Sequence, residues 1–251
     1  MIDTRPAEAR AARRVAREAD ATDWGDRATT SYVFNFSVVW DNWQLLAYGV
    51  VETLWLSIRT MVCGLIIGLI GATLQLNGGV WGRRGVKTWI ELWRNTPLIV
   101  QLFLIYFGLP ELGIRLTANT AALIGMSLYL GAFATEIIRA GIESIPRGQT
   151  EAGRALGLNG RQIFRFIVLI PAMRAVAPAL GAQFILIMLA TSVVSTISAD
   201  ELASIANGLQ TETFRPFEVY LAVSIIYVTL ALTLRGLLAL ATRGYVGRWQ
   251  E

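Results

Sequence analysis

The strongest constraint on this chain is a recurrence of apolar stretches about twenty residues long, separated by short polar links. A bilayer's hydrocarbon core is roughly 30 Å thick, and a helix of about twenty apolar residues crosses it. Inside lipid every backbone N–H and C=O must be paired within the protein, so a lone stretch of this length crosses as a helix. The expectation is an all-α integral membrane protein with about five transmembrane helices. Charged residues make up 16% of the 251 residues, below the quarter or so usual in soluble domains. The chain therefore reads as one membrane domain, with no room for a separate soluble catalytic domain.

The spans are expected at about 45–76, 88–109, 118–138, 172–198 and 216–242, together forming a membrane domain over 45–245. Residues 1–31 form a polar tail in which six arginines alternate with acidic residues. It has no apolar core of the signal-peptide kind. Residues 32–46 are aromatic and amphipathic, and with Trp40, Trp43 and Tyr48 they read as an interfacial helix. Pro97 is expected to kink the second span, because it lacks an N–H and clashes one turn back. Residues 199–215 read as a polar loop carrying Asp200, Glu201 and Glu212. Pro216 and Glu218 suit the opening of the last helix.

Arg83, Arg84, Lys87 and Arg94, the arginines between 139 and 174, and Arg235, Arg243 and Arg248 fall on one side of this layout. The positive-inside rule then places the N-terminus outside and the C-terminus in the cytoplasm. The arginines of the N-terminal tail run against that orientation.

Absences narrow the chemistry. There is no histidine and one cysteine, Cys63, so a Ser-His-Asp set, a His-bound metal and an internal disulfide are excluded. No G-x-x-x-x-G-K-[ST] run occurs, so the chain does not cradle a nucleotide by a P-loop. The net charge of +4 is read as basic membrane-flanking loops, not as a nucleic-acid surface.

Residues 144–171, between spans three and four, are too polar for hydrocarbon and carry ordered helix signals. Pro146 can open a helix, and Gly157 can take the left-handed conformation that ends one. Asn159 with Gln162 forms a capping-box pattern for a second helix. The expected result is an elbow of two short helices joined at Gly157, neither stable alone.

The run Glu151-Ala-Gly-Arg-Ala-Leu-Gly-Leu-Asn-Gly-Arg-Gln-Ile-Phe-Arg-Phe-Ile-Val-Leu-Ile-Pro171 closely resembles the coupling-loop motif of ABC importer permeases. Arg94-Asn-Thr-Pro-Leu-Ile-Val-Gln-Leu-Phe103, Phe107-Gly-Leu-Pro110, Glu136-Ile-Ile-Arg-Ala-Gly-Ile-Glu-Ser-Ile-Pro146 and Thr213-Phe-Arg-Pro-Phe-Glu218 resemble segments of the polar amino-acid uptake branch. The resemblance covers roughly residues 35–245. It implies a type I importer in the bacterial inner membrane. Its parts would be two permease subunits, the same or homologous, a cytoplasmic ATPase dimer that binds ATP–Mg, and a solute-binding protein outside. The chain itself would hold no cofactor and no catalytic residue. The elbow would be the coupling helix, with Glu151 setting register on the ATPase and Arg154 beside it. Ala152 and Gly153 would permit close approach, and Gly157 would form the bend. Three positions depart from the pattern: Gly153 where the family has Ala, Pro171 one residue later than usual, and Leu189-Ala190 ahead of Thr191-Ser192 in place of a Lys-Asp or Lys-Asn pair.

Polar residues inside spans are costly and mark pathway candidates. Here these are Glu52, Arg59, Gln101, Gln183, Thr191 and Ser192. Glu52 and Arg59 share a helix face, about 10 Å apart. Arg59 has three roles open to it: meeting a substrate carboxylate, snorkelling to the interface, or pairing with a neighbouring subunit. The others either line a cavity or join helices. A secondary transporter and a non-transporting membrane scaffold stand as alternatives. The former often shows inverted repeats, and none is visible in this sequence.

Overall fold

The computed structural model describes residues 32–246, with side chains through residue 241. The polar tail 1–31 and Arg248 lie outside those limits, as does the side chain of Arg243. Residues up to Ser37 form one unit and those from Val38 onward another. In the first, the described residues carry the aromatic run, with the Phe34 ring edge-on to Tyr32 at 5.3 Å and stacked near Phe36 at 6.5 Å.

The helices are α1 (Ser37–Asp41), α2 (Trp43–Asn77), α3 (Val80–Asn95), α4 (Leu98–Glu111), α5 (Ala118–Glu143), α6 (Arg147–Ala155), α7 (Gly160–Ile197), α8 (Leu202–Thr213) and α9 (Pro216–Val246). Four of them, α2, α5, α7 and α9, are long and apolar enough to cross a membrane, and α4 is a shorter apolar helix. Of the expected helix over 32–46, residues 37–41 form α1 and residues 43–46 open α2, while 32–36 are not helical. β-branched and aromatic residues at 32–34 favour helix poorly. Asn42 leaves the helical region and its amide donates back to the Val38 carbonyl at 2.9 Å, ending α1.

The centre of the membrane unit is α5, which packs on α2, α7, α3 and α4. Of its most apolar window 61% is buried, against 6% for α9. Lipid tails are as apolar as leucine, so helices in a membrane associate by close packing at small residues. The α2–α5 seam is built that way. A Cβ on Gly64 would meet the Leu130 side chain at 2.7 Å, and one on Gly68 would meet the Ala134 Cβ at 2.5 Å.

Three sequence expectations change. The second span is not one kinked helix from Thr88 to Leu109: α3 stops at Asn95 and α4 begins at Leu98. Pro97 forces the residue before it out of the helical region, and Thr96 is extended at φ −105°, ψ 132°. Second, the later half of the elbow is no separate short helix. It is the first turn of α7, which runs unbroken for 38 residues to Ile197, not from Ala172 as expected. A wide turn over Phe164–Val168 lies just ahead of Pro171, as another over Leu104–Gly108 lies ahead of Pro110. Such a turn re-registers the ladder where proline offers no donor. Third, 199–215 is not a loop. Leu202, Ile205, Ala206 and Leu209 follow helical spacing, and the apolar face of α8 packs on Leu46 of α2 and on Val219 and Val223 of α9.

The ends of the helices sort into two sets. At one, Asn119 at the start of α5 donates to Asp200 after α7 and accepts from the Asp200 N–H, both at 2.8 Å. At the other, Gln75 near the end of α2 donates to Glu136 near the end of α5 at 3.2 Å. The elbow, α6 with the start of α7, belongs to the second set, because it follows α5 directly.

Candidate functional site

The elbow is built by local rules. Pro146 sits ahead of α6, whose nine residues end in a reciprocal turn: Leu158 N–H donates to the Gly153 carbonyl at 3.1 Å and Gly157 N–H to the Arg154 carbonyl at 2.9 Å. That pattern needs a left-handed residue, and Gly157 supplies it at φ +78°. The capping box read from the sequence is formed in full. Asn159 Oδ1 accepts from Gln162 N–H at 3.0 Å, and Gln162 Oε1 accepts from Asn159 N–H at 2.9 Å.

Beneath the elbow lies a small apolar cluster of Ile163, Val168 and Ala172, with Ile142, Ile145, Leu158 and Ile167 packed against it. Gly153 is the buried residue of α6, and a Cβ there would meet Ile167 Cδ1 at 2.5 Å and Ile163 Cγ1 at 3.2 Å. Its smallness therefore serves packing inside this chain, where the sequence pattern suggested closeness to a partner. Glu151, Ala152, Arg154 and Ala155 are exposed. Among the described residues neither Glu151 nor Arg154 has an ion-pair partner.

The six intramembrane candidates scatter. Glu52 faces Tyr48 one turn back on α2. Arg59 does not reach towards Glu52: its Nε donates to the Trp55 carbonyl at 3.3 Å, and its guanidinium lies 5.0 Å from the Trp55 ring centre. Gln101 staples the α3–α4 joint, its amide donating to the carbonyls of Trp93 at 2.7 Å and Thr96 at 3.0 Å. Its buried Oε1 has no partner among the described residues. Gln183 is half-buried on α7. Thr191 is fully buried and donates to the Met188 carbonyl at 2.7 Å, while Ser192 donates to Leu189 at 2.8 Å.

A polar network that the sequence reading missed surrounds Thr191. Glu201, fully buried, caps α8 by accepting from Ser204 N–H at 2.6 Å, and its second oxygen accepts from the Tyr227 hydroxyl of α9 at 2.6 Å. The Thr53 hydroxyl of α2 accepts from Leu202 N–H at 3.0 Å, and Thr53 and Thr191 are hydrogen-bonding neighbours of Tyr227. Four helices thus meet around the Glu201–Tyr227 pair. Burial pushes the Glu201 carboxyl above its ordinary range, partly offset by the bonds from Tyr227 and from the N–H groups of Ala203 and Ser204. An acidic residue just ahead of the Leu202, Ala206, Leu209 stripe was the available signal.

At the elbow end, Arg139 pairs with Glu136 at 2.8 Å and Glu143 at 2.5 Å. Arg94 lies 5.0 Å from the Phe133 ring centre. Gln75, Lys87, Glu91, Arg94, Glu136 and Arg139 border a cavity of about 390 Å³ there.

This arrangement has known counterparts. A crystal structure of an amino acid ABC transporter with histidines contains a chain that superposes with a TM-score of 0.80 at 33% identity, covering 84% of this chain and 99% of that one. An inward-facing MetNI methionine ABC transporter shares the fold, with a TM-score of 0.70 at 22% identity over 82% of this chain and 98% of that one. The architecture is that of an all-helical ABC transporter permease. The chain belongs to the family described as binding-protein-dependent transport system inner membrane component, whose pattern its residues 64–246 match. It is 34% identical to the glutamine transport system permease protein GlnP of Escherichia coli (strain K12), over 80% of this chain and 93% of that one. It is 38% identical to the probable amino-acid permease protein YxeN of Bacillus subtilis (strain 168), over 72% and 82%.

Proposed function

We propose that the chain is the transmembrane permease subunit of an ATP-driven importer for polar amino acids or amino-acid-like solutes, with the elbow seated on a cytoplasmic P-loop ATPase. The observation that carries this reading is the construction of α6. One small residue, Gly153, faces its own chain, while Glu151, Ala152, Arg154 and Ala155 stand exposed beside a fixed left-handed turn. A short helix held from beneath and bare above is suited to being gripped. The likeness to a glutamine permease and to an amino acid ABC transporter supports the substrate class.

The mechanism follows from continuity. α6 rests on Ile163 and Ile167, which belong to α7. α7 runs without interruption to Ile197, near the Asn119–Asp200 tie. A displacement imposed on Glu151 by closure of an ATPase dimer is therefore passed along one rod to the far end. The partner ATPases hold ATP–Mg; this chain supplies the lever and half of the pathway. A second permease, the same or homologous, covers the sparsely buried face of α9. The elbow end faces the cytoplasm, with the C-terminus inside and the N-terminus outside, and the solute-binding protein docks at the opposite end.

The test is uptake in proteoliposomes holding the full-length chain, the ATPase purified with it and a binding protein, against a panel of labelled amino acids. ATP-dependent accumulation is expected. Accumulation driven by an ion gradient without ATP would assign the chain to secondary transport.

A further inference from the structure

The helix between the first two spans has a face that the importer reading does not use. α3 is joined to α2 by Gly78 and Gly79 and to α4 by Thr96 and Pro97. Its first residues therefore lie at the elbow end, and it runs for about 24 Å to Arg94, which meets Phe133 midway along α5. Trp81, Gly85, Trp89 and Leu92 fall on one side of it at helical spacing. Trp81 is 83% exposed and Leu92 64% exposed, with Trp89 between them half-buried, so the described residues leave both ends of that edge uncovered. Ile90, at the flank, is the residue through which α3 is buried against the bundle.

The other side is basic. Arg83, Arg84, Lys87 and Arg94 stand against one carboxylate, Glu91, and Arg83, Arg84 and Lys87 are exposed. Arg84 lies 5.8 Å from the Trp81 ring centre, and Arg83 donates to the Leu76 carbonyl at 3.0 Å, which seats it at the membrane end of α2. A helix whose first turns carry tryptophan on one edge and clustered cations on the other, beside the end of α2, has the chemistry of an anionic lipid site. We infer that α3 binds anionic phospholipid, its Trp81–Leu92 edge among acyl chains and Arg83, Arg84 and Lys87 on headgroup phosphates. Opposite charge selects the lipid class, and the apolar edge distinguishes a bilayer from free phosphate.

The experiment reconstitutes the full-length chain in phosphatidylcholine vesicles carrying either brominated phosphatidylcholine or brominated phosphatidylglycerol at equal fraction. Bromine quenches tryptophan on contact, and the Trp81 signal is the difference between wild type and Trp81→Phe. Each basic side chain at an anionic surface favours the charged lipid about fivefold at low salt. The expectation is at least a fivefold preference for phosphatidylglycerol, falling with added salt. It should approach unity in Arg83→Gln/Arg84→Gln/Lys87→Gln. Arg84→Gln alone, whose side chain is exposed, lowers the preference part of the way and guards against misfolding of the triple variant. Equal quenching by both lipids, or a preference unchanged in the variants, overturns the inference. Quenching of Trp81 by neither lipid also overturns it, and shows that the edge lies away from the acyl chains. The readout needs no transport, so its failure is separate from failure of the importer reading.

Discussion

Replacing Gly153 by valine adds three carbons at a position where the first already meets Ile167 Cδ1 at 2.5 Å. Carbon contacts settle near 3.5–4.0 Å, so something must move by about 1 Å. Ile167 can yield its terminal methyl to an alanine at Gly153, at roughly 0.5–1.5 kcal/mol for a displaced rotamer. The gain of roughly 1 kcal/mol in helix propensity from Gly to Ala offsets that cost. Gly153→Ala is therefore expected to transport normally. Valine cannot be accommodated so, and overpacking of this kind costs about 1–3 kcal/mol. α6 has nine residues and little stability of its own, so that cost lifts it from α7. Ile167→Ala removes three carbons from the same space, and the double variant Gly153→Val/Ile167→Ala should recover what each single variant loses. The assay is ATP-driven uptake alongside thermal stability of the solubilised protein, with a coupling of about 1–3 kcal/mol in the stability cycle. Two independent losses that add would refute the inward placement of Gly153. So would a Gly153→Ala variant that loses the ATPase, since that is the behaviour of a residue facing a partner.

Other expectations follow from single contacts. Gly157→Ala meets no atom within 4 Å but must hold φ near +78°, costing about 1–2 kcal/mol; it should weaken uptake, with Gly157→Asn closer to wild type because asparagine tolerates that region. Gln101→Leu strands the Trp93 and Thr96 carbonyls and should lower thermal stability by about 1–2 kcal/mol while leaving the substrate KM unchanged. A shifted KM at full stability would return Gln101 to the pathway. Tyr227→Phe takes a donor from buried Glu201 and should cost about 1–3 kcal/mol. Because burial raises the Glu201 carboxyl, the folded protein holds its proton more tightly than the unfolded chain. Stability from this group is present below the ordinary carboxylate value and is lost as pH rises through the folded value. A stability–pH profile that is flatter in Glu201→Gln than in wild type checks this.

How much of this was legible in the sequence depended on the range of the interaction concerned. α2, α5 and α9 lie over long apolar runs that decide them locally, their ends differing from the expected bounds by up to five residues. The capping box at Asn159 and the turn at Gly157 were equally readable, being set within three or four residues. Pro97 was recognised, but whether it kinks or breaks depends on Gln101, which caps the broken end from the next helix. The helix α8 was hidden because its outer face is polar, and its apolar stripe becomes evident only against Leu46, Val219 and Val223. The Glu201–Tyr227 bond joins residues 26 apart, a separation that no local pattern encodes. The direction of Gly153 was misread for a related reason. A glycine in a motif shows that space is tight without showing on which side, and Ile167 is placed there by a wide turn ahead of Pro171.

The account rests most heavily on the claim that the exposed face of α6 is where an ATPase holds this permease. The direct measurement is the amount of P-loop ATPase recovered per permease when the full-length chain is purified gently from native membranes, in wild type and in Glu151→Lys. Glu151 is exposed, so the variant should fold and insert as wild type does. The account predicts a stoichiometric ATPase in wild type and its loss in the variant. Equal recovery in both, or no ATPase with an intact wild-type chain, would contradict it.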